Sequence, residues 1–384
     1  MGEVVQIVGG GTPDSSNADY WDGDIDWYTP SEIGERRSVE TSARKITPEG
    51  LVHSSARLLP AGSILFTSRA SIGLMAFISR PSATNQGFQS LVPSNNVDSN
   101  FLYALGPYIS RYAKKHAAGS TFIEISGSSL AKAPLRIPSL AEQRRIGEFF
   151  SALDGLIAAA ERQEDLLKQK KQAYLQLMFP QEGETEPRLR FAGFSGEWQQ
   201  KMVGDLVGKT FGGGTPSTSN SEYWIGRLPW IQSSNLADGQ IFRVDVEKHI
   251  SDIALQHSSA QLIPAGSIAV VTHVGVGKLA LVPFEYSTSQ DFISLGDLKC
   301  DSRFLSLALQ ERLRKDLRVV QGLTIKGITK QDLLHKKLTL PKQRDEQARI
   351  ATFLMLFGKT IAQINERKAL LQRMKEAYLQ RLFL

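Results

Sequence analysis

Two long stretches of the chain carry apolar residues at heptad spacing. The first, from Glu142 to Phe179, contains no proline, and one heptad position is filled by Ile146, Leu153, Ala160, Leu167 and Tyr174. In the second stretch the same position is filled by Ile350, Phe357, Ile364, Leu371 and Tyr378. Five heptads predict a helix on the order of 55 Å long, with an apolar stripe that must be buried against another helix.

The region ahead of each predicted helix has a different pattern, rich in glycine, proline and serine. Short apolar runs such as SILFTS, Ser63–Ser68, and SIAVVT, Ser267–Thr272, are typical of β-strands. One helical segment interrupts the strands in each region, from Phe101 and from Phe304. This mixture predicts a compact α+β domain ahead of each long helix.

The two regions repeat each other along the whole chain, at an offset of 203 or 204 residues. GGGTPDSSNADYW, Gly9–Trp21, matches GGGTPSTSNSEYW, Gly212–Trp224, at nine of thirteen positions. LLPAGSILFTSRASIG matches LIPAGSIAVVTHVGVG, and LRIPSLAEQRRI matches LTLPKQRDEQARI. A period this long does not fit a solenoid, so it indicates a duplicated unit and two equivalent halves.

The fold class is therefore predicted as α+β, with two pseudo-repeated globular domains, each followed by a long helix. Because two similar halves favour a pseudo-twofold arrangement, we expect the helices to pair as an antiparallel coiled-coil spacer. The helices could serve only to hold the domains apart, and the polar middle of each stripe also leaves room for a partner's helix. The expected boundaries are 1–140 and 198–343 for the domains, 141–179 and 344–384 for the helices, and 180–197 for the linker.

Composition narrows the class of protein. The 384 residues carry a formal net charge of +6, which is compatible with a polyanionic partner but does not require one. A single cysteine, Cys300, excludes an internal disulfide and a multi-cysteine metal site. No apolar run approaches the roughly 18 residues of a membrane-spanning helix, and the start lacks the features of a signal peptide. We expect a cytoplasmic chain with no membrane association.

Candidate catalytic motifs are incomplete. HVGVGKLA, His273–Ala280, departs from a nucleotide-binding loop because Thr272 stands at the first glycine and Leu279 follows the lysine. The GGGTP element places Pro13 and Pro216 where amide donors to a phosphate would be needed, so a turn at the end of a strand is favoured over a phosphate site. The six histidines are scattered, and the sequence has neither a GxSxG motif nor an Asn-Pro-Pro-aromatic motif. A duplicated structure without duplicated reactive side chains favours recognition over catalysis.

Three duplicated motifs together resemble one family. They are the Gly-Thr-Pro opening with Tyr-Trp downstream, the Leu-Pro-x-Gly-Ser-Ile element, and the Pro-x3–4-Glu-Gln-x2-Ile start of each long helix. LRFAGFSGEW, Leu189–Trp198, is similar to that family's lead-in to a second recognition domain. The chain thus resembles the specificity subunit of type I restriction–modification enzymes over essentially its whole length. One departure is that the first half begins at MGEVVQIVGGG without such a lead-in.

This resemblance implies two target recognition domains that read a bipartite, asymmetric DNA site, one half-site each. It also implies docking of two methyltransferase subunits and of restriction (motor-nuclease) subunits, while the specificity subunit itself performs no chemistry. S-adenosylmethionine, ATP and magnesium are accordingly expected on the partner subunits, with no cofactor or metal in this chain. Two alternatives stay open: a two-domain scaffold for a ligand other than DNA, and a self-contained DNA methyltransferase.

Candidate DNA-binding residues lie in loops that differ between the halves. Arg69 and His273 occupy equivalent positions after a predicted strand, and Asn85 and Gln86 match Ser289 and Gln290. Arginine suits guanine, and an amide side chain suits adenine, although a repeated glutamine could equally serve the fold. The remaining candidates are cations or hydroxyls for phosphate contact, any of which could be an ordinary surface group: Arg36, Arg37, Arg44, Lys45, Lys114, Lys115, Ser120, Thr121, Lys278, Thr324, Lys326 and Lys330.

Overall fold

The computed structural model describes residues 1–34, 36–119, 123–181, 183–319 and 327–383. They form two compact units. Unit 1 contains Met1–Gln163 and Asn365–Leu384, and unit 2 contains Glu164–Ile364. The helices and strands are assigned to these units below.

Unit 1 contains two sheets among its described residues. The five-stranded sheet has the order β1-β8-β5-β6-β3, and the three-stranded sheet has the order β4-β2-β7. The strands are β1 Val5–Gly9, β2 Trp21–Tyr28, β3 Ser38–Val39, β4 Arg44–Ile46, β5 Ile64–Phe66, β6 Met75–Ile78, β7 Ser82–Thr84 and β8 Gln89–Pro93. The helices are α1 Pro48–Val52, α2 Ser99–Ala104, α3 Gly106–His116, α4 Gly127–Ala131 and the start of the long helix α5, Leu140–Met178.

The core of unit 1 forms where α2 and α3 pack on the larger sheet. Ile64 and Phe66 of β5 are fully buried against Phe101 and Ile109 of these helices. The helical segment predicted from Phe101 is thus present, but it is divided at Leu105, just ahead of Pro107 in the first turn of α3. Proline is tolerated in a first helical turn but not in a helix interior, which accounts for the division.

Unit 2 repeats this layout. Its sheets have the orders β10-β16-β13-β14, β12-β11-β15 and β17-β9. The strands are β9 Gln199–Met202, β10 Val207–Gly212, β11 Leu228–Ile231, β12 Lys248–Ile250, β13 Ser267–Val271, β14 Leu279–Val282, β15 Ser287–Thr288, β16 Phe292–Leu298 and β17 Lys337–Leu340. The helices are α6 Asp252–His257, α7 Ser302–Val319, α8 Lys330–Leu334 and α9 Arg344–Phe383. The predicted α+β class with two repeated domains is confirmed.

The two long helices run antiparallel in each unit. In unit 1, Phe150 of α5 contacts Phe383 of α9, and Asp154, one turn later, pairs with Lys375 at 2.6 Å. In unit 2, Tyr174 of α5 packs edge-on against Phe353 of α9, with ring centroids 4.9 Å apart. Most of the described heptad residues are buried or half-buried, as the predicted stripe requires. No helix in the described ranges is long and apolar enough to cross a membrane.

The units differ beside the start of the long helix. In unit 2, β9 pairs antiparallel with β17, which leads into α9. In the described part of unit 1, the equivalent residues 134–139 ahead of α5 form no strand. The ammonium group of Met1 instead donates a hydrogen bond to the carbonyl of Ala133 at 2.7 Å.

Candidate DNA interface

The glycine-rich element that opens each domain is a turn held against the core by tryptophans. The indole of Trp27 donates to the carbonyl of Gly11 at 2.8 Å, and that of Trp230 donates to Gly214 at 3.0 Å. A second indole, from Trp21, donates to Asp14 at 3.0 Å and packs edge-on against Trp27. The turn thus follows β1 or β10 and is held in place by these indoles, as expected of a turn at the end of a strand.

Close packing explains the glycines themselves. A Cβ added at Gly10 would overlap the carbonyl of Asn85, and one added at Gly213 would overlap the carbonyl of Ser289. Only glycine lets the turn approach the segment after β7 or β15 this closely. The repeated glycines therefore bring the opening turn beside a segment that carries candidate base readers.

The repeated glutamines bind the opening turn. The hydroxyl of Thr12 donates to Oε1 of Gln86, and that of Thr215 donates to Oε1 of Gln290, at 2.5 Å in both units. Both glutamines are exposed. Oδ1 of Asn85 accepts a hydrogen bond from the amide of Gly87 at 2.8 Å, which stabilises the turn formed by residues 85–87.

The loop after β5 or β13 is closed by the same backbone hydrogen bond in both units. The amide of Gly73 donates to Thr67 at 2.9 Å, and the amide of Gly277 donates to Val271 at 3.2 Å. Both glycines have φ near +90° (96° and 90°), a conformation that favours glycine. Within this shared loop, Arg69 is replaced by His273. A repeated loop closure with a variable side chain is the arrangement expected of a sequence reader.

Three segments of each unit converge at this loop. In unit 1, the amide of Ser68 donates to Gly87 at 2.8 Å, and the amide of Ile125 donates to Ser68 at 3.0 Å. In unit 2, Thr272 makes the same bonds with Asp291 at 2.7 Å and Ile328 at 2.8 Å. The structure therefore brings Arg69, Asn85 and Gln86 to one surface of unit 1. His273 and Gln290 lie on the equivalent surface of unit 2.

The residues predicted to contact phosphate lie in several different environments. Arg36, Lys114, Lys115 and Lys330 are exposed, whereas Lys278 is half-buried. Arg44 lies over the ring of Trp21, with 3.5 Å between its Cζ and the ring centroid, and Lys45 lies 4.0 Å from Asp26. Ser120, Thr121, Thr324 and Lys326 lie outside the described residues.

Arg37 is engaged inside its own unit. Its guanidinium pairs with Asp154 of α5, donates to Asn100 at 2.7 Å, and lies 4.5 Å from the ring centroid of Tyr103. These contacts tie the recognition region to the long helix. Arg37 therefore has a structural role, and we omit it from the proposed interface.

Sequence reasoning missed Lys248, the counterpart of Arg44. The ammonium of Lys248 lies 5.6 Å from the ring centroid of Trp224, so a cation covers the tryptophan pair in both units. The offset of 204 residues between Arg44 and Lys248, each paired with a repeated tryptophan, is the signal that could have identified it.

Sequence reasoning also missed a buried carboxylate in β2 of unit 1. Asp26, whose side chain is fully buried, accepts hydrogen bonds from Ser42 and Thr41 at 3.0–3.1 Å and pairs with Arg80. Burial alone would raise the pKa of Asp26, but these hydrogen bonds together hold it below its ordinary value. Pro229 takes its place in unit 2, so this network belongs to unit 1 alone.

Metal chemistry has no support in the described ranges. No group of three or more histidine, cysteine or acidic side chains there could hold a metal ion. Cys300 is buried, and burial raises the pKa of its thiol to about 11, which disfavours the reactive thiolate. What the surface described above offers a ligand is hydrogen-bond donors and positive charge, from side chains such as Arg69 and Arg44.

Solved structures share this fold. An S subunit of a type I restriction–modification system from M. genitalium matches with a TM-score of 0.64 and 13% identity, over 97% of this chain and 99% of that one. A chain from a study of complex assembly and conformational transition of the type I R-M system matches with a TM-score of 0.54 and 18% identity, over 99% and 95%. At these identities the matches show the fold.

Curated relatives are similar to this chain in sequence as well. The specificity subunit of type I restriction enzyme MjaIX from Methanocaldococcus jannaschii is 26% identical over 99% of this chain and 90% of its own length. The EcoR124I/EcoR124II specificity subunit from Escherichia coli is 33% identical over 45% of each chain. Specificity subunits are the non-catalytic subunits of these enzymes.

A family model settles the assignment. The model, described as the type I restriction modification DNA specificity domain, matches residues 1–169 and again residues 195–373, so both halves of the repeat are covered. The chain belongs to the family of type I restriction–modification DNA specificity subunits.

Proposed function

We propose that the chain reads a bipartite, asymmetric DNA site, with one half-site for each recognition domain. The observation that carries this proposal is the loop after β5 and β13. It is closed by the same backbone hydrogen bond in both units, from Gly73 to Thr67 and from Gly277 to Val271, but presents Arg69 in one and His273 in the other. Arginine donates two hydrogen bonds to guanine, a pattern that histidine does not reproduce, so the two half-sites differ.

Cations around each surface supply the sequence-independent part of the affinity. In unit 1 these are the exposed side chains of Arg36, Lys114 and Lys115, with Arg44 held over Trp21. In unit 2, Lys248 and Lys330 take this role. Phosphate contacts fix the position of a protein on the duplex, and contacts to base edges then select the sequence.

The long antiparallel helices act as the spacer and as the docking site for partners. A spacer of fixed length sets the gap between half-sites, as dimer geometry does in other DNA-binding proteins. Two methyltransferase subunits and two restriction subunits dock on the chain, and they carry S-adenosylmethionine, ATP and magnesium. The complex acts on DNA in the cytoplasm. The two curated relatives described above are both named as specificity subunits of type I enzymes, which supports assembly with other subunits.

Selection of duplexes from a random pool tests the proposal. The chain, co-purified with its cognate methyltransferase subunit, should enrich duplexes with two unequal half-sites at one fixed gap. Lengthening α5 and α9 together by a few residues should change the gap and leave both half-sites unchanged. Enrichment without sequence preference would favour a scaffold for another ligand.

A titration of the isolated chain with S-adenosylmethionine tests the remaining alternative, a self-contained DNA methyltransferase. No saturable binding is expected, because the described residues offer no duplicated reactive motif for methyl transfer. Saturable binding would favour a self-contained methyltransferase and contradict the proposed division of labour.

A further inference from the structure

The hydroxyl of Thr272, beside His273 in unit 2, has a fixed hydrogen-bonding role. Its oxygen lies 2.9 Å from the carbonyl oxygen of Asp291, which also accepts the backbone amide of Thr272 at 2.7 Å. A carbonyl oxygen carries no proton, so the hydroxyl is the donor in this bond. The single proton of the hydroxyl is therefore used, and Oγ1 of Thr272 acts as an acceptor in any further bond.

That further bond is made with the imidazole of His273. Nδ1 of His273 lies 3.1 Å from Oγ1 of Thr272. Because Oγ1 acts as the acceptor, Nδ1 is the ring nitrogen that carries the proton. A neutral imidazole has one nitrogen that donates and one that accepts, so Nε2 of His273 is then a hydrogen-bond acceptor.

The edge of the ring that carries Nε2 is bordered by a glycine. His273 is exposed, and no residue in the described ranges forms a hydrogen bond with Nε2. A Cβ added at Gly327 would lie 3.3 Å from Cδ2 of His273 and 3.7 Å from Nε2. Gly327 has a φ of 108°, which favours glycine, so its backbone conformation goes together with the absence of a side chain beside the ring.

The equivalent loop of unit 1 is built differently. Arg69 takes the place of His273, and Ser68 takes the place of Thr272. The hydroxyl of Ser68 is buried and has no hydrogen-bond partner among the residues that the structure describes. Arginine only donates hydrogen bonds, whichever residue precedes it. The two loops therefore offer opposite chemistry, a donor in unit 1 and an acceptor in unit 2.

We propose that His273 reads the exocyclic amino group of an adenine or a cytosine in the half-site of unit 2, and that Thr272 is the positioning residue that keeps Nε2 an acceptor. This inference rests on the proposed function, since it requires the loop to contact base edges. In the major groove adenine and cytosine present an amino donor, whereas guanine and thymine present acceptors. Neutral His273 therefore selects against the guanine that Arg69 suits in the other half-site.

The position of the proton can be observed without DNA. In the ¹⁵N-labelled full chain, long-range proton–nitrogen NMR distinguishes a protonated from a bare ring nitrogen, and His273→Gln identifies the signals. At mildly alkaline pH, where histidine is neutral, we expect the proton on Nδ1. Thr272→Val keeps the shape of the side chain but removes the acceptor, so the proton should move toward Nε2.

Thr288→Val is the matched control for this substitution. Thr288 is also a buried threonine of unit 2, but its hydroxyl has no hydrogen-bond partner in the described chain. The control should leave the imidazole signals of His273 unchanged. The melting temperatures of both valine variants should match that of the parent.

Base analogues test the contact itself, with the chain co-purified with its cognate methyltransferase subunit. His273→Ala identifies the base pair that it no longer discriminates. Removal of the amino group there, with deoxynebularine for adenine or deoxyzebularine for cytosine, should weaken binding by the parent about three- to tenfold, the contribution of one neutral hydrogen bond. His273→Ala should bind both duplexes alike, which separates the contact from the weaker pairing of the analogue. The loss should be smaller for Thr272→Val and complete for Thr288→Val.

The possible failures are distinguishable. A proton on Nε2 in the parent, or a preferred half-site that is insensitive to the amino group, would overturn this proposal alone. So would a preference for guanine or thymine at the base pair that His273→Ala identifies. Binding without a preferred half-site would overturn the proposed function and this proposal together. If Thr272→Val does not fold, the proton position in the parent and the analogue duplexes still decide the outcome.

Discussion

The hydroxyl of Thr12 lies 2.5 Å from Oε1 of Gln86, and the same distance joins Thr215 to Gln290. These pairs connect two motifs that are 74 or 75 residues apart in sequence. The opening turn and the segment after β7 or β15 are therefore parts of one structural element. That element is bonded to the loop of Arg69 through Gly87 and to the loop of His273 through Asp291.

Gln86→Leu should lower the free energy of unfolding of unit 1 by about 1 kcal/mol, the usual contribution of one hydrogen bond. The methylated sequence should stay the same, because the leucine still fills the space beside the turn. Gln86→Glu, which keeps an acceptor for Thr12, is the control and should be closer to the parent in urea unfolding. A changed half-site with unchanged stability would show that Gln86 reads a base.

Arg69→Ala should relax one half-site at a single position and cost about 1–3 kcal/mol in binding of the preferred duplex, because the variant cannot donate the bidentate hydrogen bonds of arginine to a base. His273→Ala should affect the other half-site only. Competition between duplexes that differ at single base pairs measures both effects. If the Arg69 variant bound all duplexes with equally reduced affinity, Arg69 would be identified as a phosphate contact.

Lys114→Ala combined with Lys115→Ala should weaken binding to all duplexes alike. If both lysines contact phosphate, the slope of log affinity against log salt should fall by about 2, roughly 1 for each phosphate that is no longer neutralised. The double variant Lys168→Ala and Lys170→Ala, in the middle of α5, is the control. An unchanged slope for Lys114 and Lys115 would place them outside the interface.

Asp26→Asn should destabilise unit 1 by about 2–3 kcal/mol at neutral pH, because Asp26 accepts several hydrogen bonds as a buried anion. Its pKa lies below the ordinary value of 3.8, so the unfolded chain takes up the proton first as pH falls. The stabilisation is thus complete well above pH 3.8 and is lost as pH falls through the lower folded pKa. Urea unfolding of both proteins from neutral pH down to the acidic range should show the difference shrinking at the acidic end. A constant difference would contradict the linkage.

Local patterns in the sequence were enough to predict the long helices, the strands around Ile64 and Ile268, and the duplication. Heptad spacing and alternation depend on neighbours in sequence, and the repeat confirms each element by its second copy. The equivalent positions of Arg69 and His273 were also visible in the repeat, whereas the segments that converge on their loops were not.

Contacts between distant residues could not be predicted in this way. Arg37 resembled any exposed cation until the structure placed it on Asp154, 117 residues away. Asp26 resembled a surface acid because its partners Ser42 and Arg80 lie on other segments. The repeat could mark Lys248 as the counterpart of Arg44, but its contact with Trp224 is seen only in the structure, where β11 pairs with β12.

Methylation profiling of a host that carries the chain with its cognate subunits tests the central claim most directly. The parent chain should direct methylation to one bipartite, asymmetric motif with a fixed gap. A variant whose residues 69–73 are replaced by residues 273–277 should change one half-site and keep the other half-site and the gap. A motif with a single continuous site, or a change in both half-sites after this exchange, would contradict the assignment of one half-site to each domain.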